Sequence, residues 1–340
     1  MAQDDLRPGI EAFLQRAAGA RSVRVDDLRR LTGGASRETW SLDAVVERDD
    51  GAETLPLILQ RDTRGAPKPV PRALEFALLG AACAAGVPAP EPLFLGDASI
   101  GGEFFIVRRV EGETLPRRLF RDDVYAAARA SMTPQLGAIL ARIHTVPVDQ
   151  PALAALPGPP PATAPAVHEV ERYEPIFRAI APEPHPAFEL AFRWLRQAAP
   201  FRAPRDAEPR ILVHGDYRMG NVLFGPDGVR AILDWELAHA GDPMEDLGWM
   251  CVRSWRFGGQ MPVGGIGERD EFFAAYEAAG GAKVDPDRVR FWEVFGNLRW
   301  GIICLSQTRT YLDRRSDSVE LASIGRRTAE TEWELLDLID

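Results

Sequence analysis

The sequence predicts an α+β protein whose N-terminal part is rich in β-strands and whose C-terminal part is mainly helical. Strand-like runs precede residue 112, at residues 23–31, 57–61 and 104–107. Further along the chain, apolar residues recur at helical spacing, most clearly over residues 291–312. We therefore expect a small N-terminal sheet followed by a larger helical region.

Composition and charge limit the class of protein. Of the 340 residues, 46% are hydrophobic and 26% are charged, which is enough apolar material for a sizeable core. The formal net charge of −10 argues against nucleic acid as the main partner, because proteins that bind it carry a basic excess. Three widely spaced cysteines predict free, buried thiols and a cytoplasmic location. We expect neither a secretion signal nor a membrane span, since no apolar run approaches about 20 residues.

Two adjacent glycines, Gly33 and Gly34, interrupt the strand pattern after the first run, and Ser36 follows two residues later. A Gly-Gly pair between strands predicts a tight turn that lies close to a ligand. The motif is not a full Gly-x-Gly-x-x-Gly, so a plain β-turn is the alternative.

The second strand-like run ends in two polar residues, Gln60 and Arg61. Because neighbouring residues of a strand face opposite sides, only one of these two side chains points to a given face. A helix is predicted over residues 72–85, and Glu75 lies in its first turn, where a carboxylate also complements the helix dipole. The third run is a buried strand, followed by a connector that contains Val110.

The most informative segment runs from residue 211 to residue 250. Its apolar runs predict three strands, at residues 211–213, 222–224 and 229–233. Its polar residues stand at the strand ends and are His214, Asp216, Asn221 and Asp234. The spacing His-x-Asp-x-x-x-x-Asn, followed by a strand that ends in Asp, is the arrangement with which kinase-like enzymes build a phosphoryl-transfer site. An ordinary hairpin whose Asp and Asn residues serve only turns is the alternative.

A second motif lies near the end of this segment, Gly-Asp-Pro-Met-Glu-Asp-Leu-Gly-Trp at residues 241–249. Asp242 precedes Pro243, which predicts a capped helix with proline at its first position, expected over residues 243–255. Asp246 falls in the first turn of that helix.

Together these motifs resemble the aminoglycoside phosphotransferase-type family, the small-molecule kinases related to choline kinase and the protein kinases. The chain is most similar to the branch of kinase domains fused to some acyl-CoA dehydrogenases, which carries HGDYRxGN, a DWE-type motif and GDPxxDLGW. The resemblance extends from about residue 28 to about residue 315. It implies a protein-kinase-like two-lobe fold, with a nucleotide-binding lobe at residues 1–112 that ends in a hinge. Residues 113–340 would form the catalytic and acceptor-binding lobe.

The resemblance also implies roles for several polar residues of the informative segment. Asp216 would orient the acceptor hydroxyl and take its proton, and Arg218 would add positive charge near the γ-phosphate or the acceptor. A solvated or carboxylate-paired arginine is the alternative for Arg218. Asn221 and Asp234 would hold Mg²⁺, which prefers oxygen ligands. Asp242 and Asp246 would brace the catalytic loop.

For the N-terminal lobe, the resemblance places Gly33, Gly34 and Ser36 in a loop that covers the phosphates of ATP or GTP. Val110 would contact the adenine in the hinge. The strand before the helix should carry the cation that binds the phosphates, and Glu75 should pair with it. Related families show Lys or Arg at the position of Gln60; we assign the role to Arg61, because glutamine cannot neutralise phosphate.

The acceptor is not specified by the sequence. A hydroxyacyl-type metabolite is our first expectation, for which Arg253, Arg256, Arg299 and Arg309 offer positive charge. An aminoglycoside or sugar-like acceptor is the alternative, and a nucleotide-binding pseudokinase or scaffold is the alternative of another class. As partners we expect a nucleotide and a small hydroxylated molecule, with no nucleic acid and no membrane, and a monomer or homodimer.

Overall fold

The computed structural model describes residues 3–31, 37–62, 70–181, 183–202 and 210–340, and the chain divides into two compact units. The first unit consists of Met1–Gly112, Asp149–Ala155 and Arg230–Leu237. The second unit consists of Glu113–Val148, Leu156–Val229 and Ala238–Asp340. Two segments from later in the chain thus join the N-terminal unit, so that Asp234 belongs to the first unit and Asp216 to the second.

A five-stranded antiparallel sheet forms the body of the first unit, with strand order β1-β2-β3-β5-β4. Its strands are β1 (Ser22–Leu31), β2 (Arg37–Arg48), β3 (Gly51–Asp62), β4 (Pro92–Gly96) and β5 (Phe104–Arg108). The helices of this unit are α1 (Gln3–Ala17) and α2 (Arg72–Ala84). The three strand-like runs and the helix expected over residues 72–85 are confirmed, and β3 begins earlier than expected.

The two faces of this sheet have different coverings. Leu55, Leu57 and Leu59 alternate along β3 and are buried in one apolar cluster. The same cluster contains residues of α1 at a spacing of four, such as Ile10 and Leu14. Helix α1 therefore covers the face of β3 that carries the odd-numbered residues, and the even-numbered residues point to the opposite face.

Helices make up most of the second unit. They are α3 (Pro116–Arg121), α4 (Ala126–His144), α5 (Pro165–Ile180), α6 (Pro186–Gln197), α7 (Ala199–Arg202), α8 (Pro243–Cys251), α9 (Arg269–Ala278), α10 (Pro286–Leu312), α11 (Val319–Ile324) and α12 (Thr328–Ile339). The short strands are β6 (Ile211–Val213), β7 (Val222–Gly225), β8 (Gly228–Ile232) and β9 (His239–Gly241), and β6 pairs with β9 while β7 pairs with β8. The three strands expected in the informative segment are thus confirmed. None of the helices in the described part of the chain is both long and apolar enough to cross a bilayer.

Local sequence explains where α8 and α10 begin. Asp242 caps α8 by accepting a hydrogen bond from the Met244 backbone N–H at 2.9 Å, and proline follows it as expected. Asp285 caps α10 in the same way, so this helix begins before residue 291. Helix α8 ends at Cys251, earlier than expected, and a short 3-10 helix follows. The side chain that Gly248 lacks would come within 2.8 Å of Trp292, so the glycine lets α8 pack closely against α10.

Candidate active site

The loop after β6 is anchored by a buried carboxylate of α8. Asp246 accepts hydrogen bonds from the backbone N–H groups of His214 and Gly215 at 2.7 and 2.9 Å. Its Oδ2 also lies 3.2 Å from Nε2 of His144, whose Nδ1 is 2.7 Å from the Tyr276 hydroxyl. Gly215 has a φ of +75°, a left-handed conformation that glycine adopts without strain. These contacts fix the loop backbone that carries the expected catalytic residues.

The charge of Asp246 belongs to the same arrangement. Burial alone would raise the pKa of this carboxyl group, because it disfavours the charged form. The hydrogen bond and charge of His144, together with His214, outweigh burial and lower the pKa below its ordinary value. The anchor therefore acts as a carboxylate that accepts hydrogen bonds on both oxygens.

Asp216 lies on this loop and receives hydrogen bonds from three side chains. Nε1 of Trp249 donates to its Oδ1 at 2.9 Å, and Nδ2 of Asn221 donates to its Oδ2 at 2.6 Å. Nε of Arg218 lies 2.9 and 3.1 Å from the two carboxylate oxygens. Asp216 is only 7% exposed. The carboxylate is therefore held in one orientation, as a positioned proton acceptor requires.

Arg218 is found in its alternative, carboxylate-paired state. Besides its contact with Asp216, its guanidinium group lies 4.7 Å from the ring centre of Trp255, at cation–π distance. A Cβ at Gly220 would collide with Nη1 of Arg218 and would lie 3.5 Å from Cζ of Phe257. The missing side chain at Gly220 thus leaves room for the arginine beside the carboxylate of Asp216.

The expected metal ligands carry suitable oxygen atoms, each within its own unit. The amide nitrogen of Asn221 donates to the carboxylate and to the backbone carbonyl of Asp216. The amide oxygen is therefore the atom of this side chain that can coordinate a cation. Asp234 follows β8 with a φ of +66°, a left-handed conformation that Asp tolerates better than most residues. Its side chain is 34% exposed, and Glu236, 23% exposed, stands two residues away. Such oxygen donors fit Mg²⁺, which keeps part of its water shell.

Glu75 of α2 pairs with two arginines in the first unit. Its Oε1 lies 2.9 Å from Nη1 of Arg37, and its Oε2 contacts Arg72. Nη2 of Arg37 lies 3.1 Å from Oδ1 of Asp234 and also contacts the carboxylate of Glu236. The side chains of Arg37 and Glu75 are 8% and 3% exposed. Arg37 therefore connects the carboxylate of α2 with the expected metal ligand.

The expected pairing of Arg61 with Glu75 is not found. Arg61 is buried and instead binds the carboxylate of Glu38 and the backbone carbonyl of Ile100. The reason is strand alternation, since Arg61 points to the face of β3 that α1 covers, whereas Gln60 points to the opposite face. Of the two residues at the strand end, Gln60 is the one on the face of Glu75.

Burial and charge shift the pKa values of this cluster. Burial raises the pKa of Glu75, and the opposing charges of Arg37 and Arg72 do not cancel the effect. Burial also raises the pKa of Glu236, and the charge of Asp234 adds to it. For Arg37, burial would lower the pKa, but the three neighbouring carboxyl groups raise it overall. Arg37 therefore stays charged, whereas Glu75 and Glu236 bind protons more tightly than ordinary glutamates.

Five residues expected to bind nucleotide or to brace the loop remain to be placed. Gly33, Gly34 and Ser36 lie outside the described residues. Val110 is half-buried in the segment after β5, two residues before Gly112, where the N-terminal stretch of the first unit ends. Asp242, expected to brace the loop, instead binds Arg288 and Nε1 of Trp292 at 2.6 and 2.7 Å besides capping α8.

A cleft of about 530 Å³ opens in the second unit. Its basic lining residues are Arg117, Arg253 and Arg327. Phe257 and Trp333 add aromatic surface, and Trp333 is 69% exposed. Because Phe257 also lies beside Gly220, the cleft borders the loop that carries Asp216.

The charges of this cleft are mostly compensated. Arg253 pairs with Glu334 at 3.0 Å, and Arg327 pairs with Glu330 at 3.2 Å. Arg117 forms no ion pair with another residue in the described part of the chain. The cleft therefore offers one uncompensated cation and no uncompensated carboxylate among its lining residues.

Comparison with known proteins assigns these features to a family. The model of the phosphotransferase enzyme family (APH) matches residues 27–292. The chain belongs to this family. The phosphotransferase family is thus confirmed by a match that includes both the Glu75 cluster and the loop of Asp216, and the predicted resemblance to aminoglycoside phosphotransferase-type kinases is confirmed with it.

The relatives of this chain include much longer proteins. Mouse acyl-CoA dehydrogenase family member 10 is 26% identical over 96% of the chain, and chicken acyl-CoA dehydrogenase family member 11 is 29% identical over 71% of it. The chain spans about a third of the length of these relatives, 30% and 29%. The predicted similarity to kinase domains fused to acyl-CoA dehydrogenases is therefore confirmed.

Solved structures confirm the fold of this chain. A Ralstonia eutropha protein provisionally assigned as an aminoglycoside phosphotransferase aligns with a TM-score of 0.73 at 22% identity, covering 98% of this chain and 97% of the other. The aminoglycoside phosphotransferase APH(4)-Ia, in a ternary complex with AMP-PNP and hygromycin B, aligns with a TM-score of 0.56 at 15% identity, covering 97% of each chain. The predicted α+β, protein-kinase-like fold is confirmed.

Two residues of the site were missed by sequence reasoning. Arg37 follows the Gly-Gly pair in the sequence, but nothing in its sequence context predicts that it reaches Glu75. Trp249 ends the second motif, yet its hydrogen bond to Asp216 depends on the packing of α8 against the loop. The sequence signal for Trp249 was its place in the motif, whereas Arg37 had none beyond its charge.

Proposed function

We propose that the protein transfers the γ-phosphoryl group of ATP or GTP to a hydroxyl group of a small molecule. The observation that carries this proposal is the carboxylate of Asp216, which Trp249, Asn221 and Arg218 hold in one orientation on a loop anchored by Asp246. A carboxylate held in this way is suited to orient an acceptor hydroxyl and to accept its proton.

In the proposed reaction, the acceptor oxygen forms a bond to the γ-phosphorus while the bond to the β-phosphate oxygen breaks. The proton of the acceptor hydroxyl passes to Asp216, and Arg218 supplies positive charge beside it. Asn221 and Asp234 are the proposed ligands of Mg²⁺, and the bound ion would neutralise charge on the phosphates. Since such transition states are loose, positioning and charge neutralisation would supply most of the rate enhancement.

The nucleotide is proposed from the family and from its solved neighbours. APH(4)-Ia is seen with AMP-PNP or ADP, and other neighbours are seen with GDP. We propose residues 1–112 as the nucleotide-binding lobe, in which Gly33, Gly34 and Ser36 cover the phosphates and Val110 contacts the base. Residues 113–340 would be the catalytic and acceptor-binding lobe of one kinase-like domain.

For the acceptor, we propose a hydroxylated metabolite that also carries a negative charge, such as a hydroxyacyl-type compound. The support is the cleft beside the loop of Asp216, which offers Arg117 as an uncompensated cation. Trp333 and Phe257 offer apolar surface for the uncharged part of such a molecule. A polycationic aminoglycoside would need uncompensated carboxylates, and Glu330 is already paired with an arginine. An aminoglycoside or sugar-like acceptor is the second candidate, favoured by the neighbours solved with hygromycin B or kanamycin.

A nucleotide-binding pseudokinase is the candidate of another class. The observation in its favour is Gln60, which stands uncharged on the face of β3 where a kinase carries its phosphate-binding cation. The ordered environment of Asp216 favours catalysis instead. Steady nucleotide turnover with an acceptor, abolished by Asp216→Ala, would exclude the pseudokinase.

The first test is a thermal-shift scan of wild type and Asp234→Ala with Mg-ATP, Mg-GTP and no nucleotide. A ligand that binds only the folded state raises the melting temperature. We expect a magnesium-dependent rise in wild type and its loss in Asp234→Ala. The preferred nucleotide is then used in an acceptor screen of hydroxyacyl-CoAs, free hydroxy acids, sugars and aminoglycosides. Absence of any rise with either nucleotide would contradict the proposed function.

A further inference from the structure

Strand register decides which side chains share a face with Glu75. In the pairing of β2 with β3, Arg37 lies opposite Asp62 and Thr39 lies opposite Gln60. Paired residues of antiparallel strands point to the same face, so Arg37 and Gln60 share one face of the sheet. Nη1 of Arg37 donates to Oε1 of Gln60 at 3.3 Å across this face. The register thus brings an arginine of β2 to the place where β3 supplies only an amide.

The contacts of Arg37 resemble those of a positioned ligand-binding cation. Nη1 is fixed by Glu75 at 2.9 Å, while Nη2 contacts Glu236 and lies 3.1 Å from the partly exposed carboxylate of Asp234. Nε is buried and has no hydrogen-bond partner among the residues that the structure describes. A guanidinium group can keep one carboxylate on one nitrogen while another nitrogen binds a phosphate oxygen, because its donors form a rigid fork.

The charge around Arg37 also favours a further ligand. Two arginines of this cluster, Arg37 and Arg72, contact four carboxyl groups in the described part of the chain. These four belong to Asp62, Glu75, Asp234 and Glu236. Because carboxyl groups outnumber the arginines, the cluster carries an excess of negative charge, which the magnesium ion that accompanies the nucleotide would offset.

We propose that Arg37 is the phosphate-binding cation of the nucleotide site, supplied by β2 in place of β3, with Glu75 and Gln60 as its positioning residues. This inference rests on the proposed function, because it assumes that the first unit binds ATP or GTP. It reassigns Arg61 to a structural ion pair with Glu38 on the opposite face of the sheet. The uncharged Gln60 is then a support for Arg37 instead of a sign of an inactive site.

The test measures nucleotide affinity directly, by isothermal titration calorimetry of the full chain with Mg-ATP and Mg-GTP. In Arg37→Gln we expect the Kd to rise about tenfold to a hundredfold, since a hydrogen bond to a charged group is lost. In Arg61→Gln we expect the Kd to stay within about twofold while the melting temperature falls. Arg24→Gln, which changes an exposed arginine of β1, is the matched control.

A relocation variant keeps the test decisive if Arg37→Gln unfolds. In Arg37→Gln combined with Gln60→Lys, the cation returns to β3 on the same face, and we expect the Kd to recover to within a few-fold of wild type. Wild-type Kd in a folded Arg37→Gln protein, or a large rise of Kd in Arg61→Gln alone, would overturn the inference and leave the proposed function standing. No binding by wild type would overturn both.

Discussion

The carboxylate of Asp246 accepts a hydrogen bond from the backbone N–H of His214 at 2.7 Å, across a sequence separation of 32 residues. This contact ties the first turn of α8 to the loop that precedes Asp216. It shows how the second motif of the chain supports the first. A carboxylate that accepts backbone N–H groups in a buried setting acts as a brace, since no other ordinary side chain presents two acceptor oxygens in this way.

We expect Asp246→Asn to lower the free energy of unfolding by about 2–4 kcal/mol, because one acceptor oxygen is replaced by an N–H₂ group inside a buried network. Urea denaturation monitored by circular dichroism measures the change. Asp313→Asn, in a partly exposed pair with Arg309, is the control and should change stability by less than about 1 kcal/mol. Equal effects of the two variants would contradict the brace.

The contribution of Asp246 to the free energy of unfolding should decrease as the pH falls. Its pKa is lowered in the folded state, so below the ordinary aspartate pKa of about 3.9 the unfolded state takes up a proton that the folded state excludes. The free energy of unfolding contributed by Asp246 is therefore complete near neutral pH. It is lost as the pH falls from about 5 through the lowered folded pKa. Urea titrations of wild type and Asp246→Asn between pH 7 and pH 3 should show a difference that shrinks with acidity, and a constant difference would argue against this account.

Removal of the proposed proton acceptor should separate catalysis from binding. We expect Asp216→Ala to lower kcat by about a hundredfold or more, because a positioned general base typically contributes at least that much to the rate. The nucleotide Kd should stay within a few-fold of wild type. A coupled assay for ADP or GDP release and calorimetry provide the two measurements. Asp123→Ala, at an exposed position, should leave both unchanged. An unaltered kcat in Asp216→Ala would remove this residue from the mechanism.

The cleft makes a prediction about the acceptor. Reversing the uncompensated charge with Arg117→Glu should raise the KM for an anionic hydroxylated acceptor about tenfold and leave the nucleotide Kd unchanged, because an attractive charge becomes repulsive. Arg121→Glu, on the same helix but outside the cleft lining, is the matched control. If both variants behave alike, the cleft does not bind the acceptor.

Space beside Arg218 is a further point that can be tested. In Gly220→Ala the new methyl group would occupy the place of the Arg218 guanidinium, so the arginine must leave the carboxylate of Asp216. We expect kcat to fall about tenfold with a small change in melting temperature, since the clash is with the end of a flexible side chain. Arg218→Ala combined with Gly220→Ala should be no slower than Arg218→Ala alone. A further loss in the double variant would show that the methyl group acts elsewhere, for example on Phe257.

Local sequence was sufficient to predict the elements that depend on neighbouring residues. Strands β6, β7 and β8 follow from apolar runs separated by turn residues, and the start of α8 follows from Asp242 and the proline after it. Asp216 and Asn221 are only five residues apart and lie on one loop. This short separation allows their side chains to form a hydrogen bond. For the same reason the family could be identified from motifs alone.

Contacts between distant segments were decided only by the tertiary structure. From the sequence we expected Arg61, at the end of β3, to pair with Glu75. Strand register instead turns Arg61 to the face that α1 covers. Glu75 pairs with Arg37, which is 38 residues away in the sequence. The hydrogen bond from Trp249 to Asp216 and the arginine-lined cleft arise in the same way, from helices that meet after folding. Alternation along a strand predicts that two neighbouring residues face opposite sides of the sheet. Only tertiary packing determines which of the two faces the core and which faces the site.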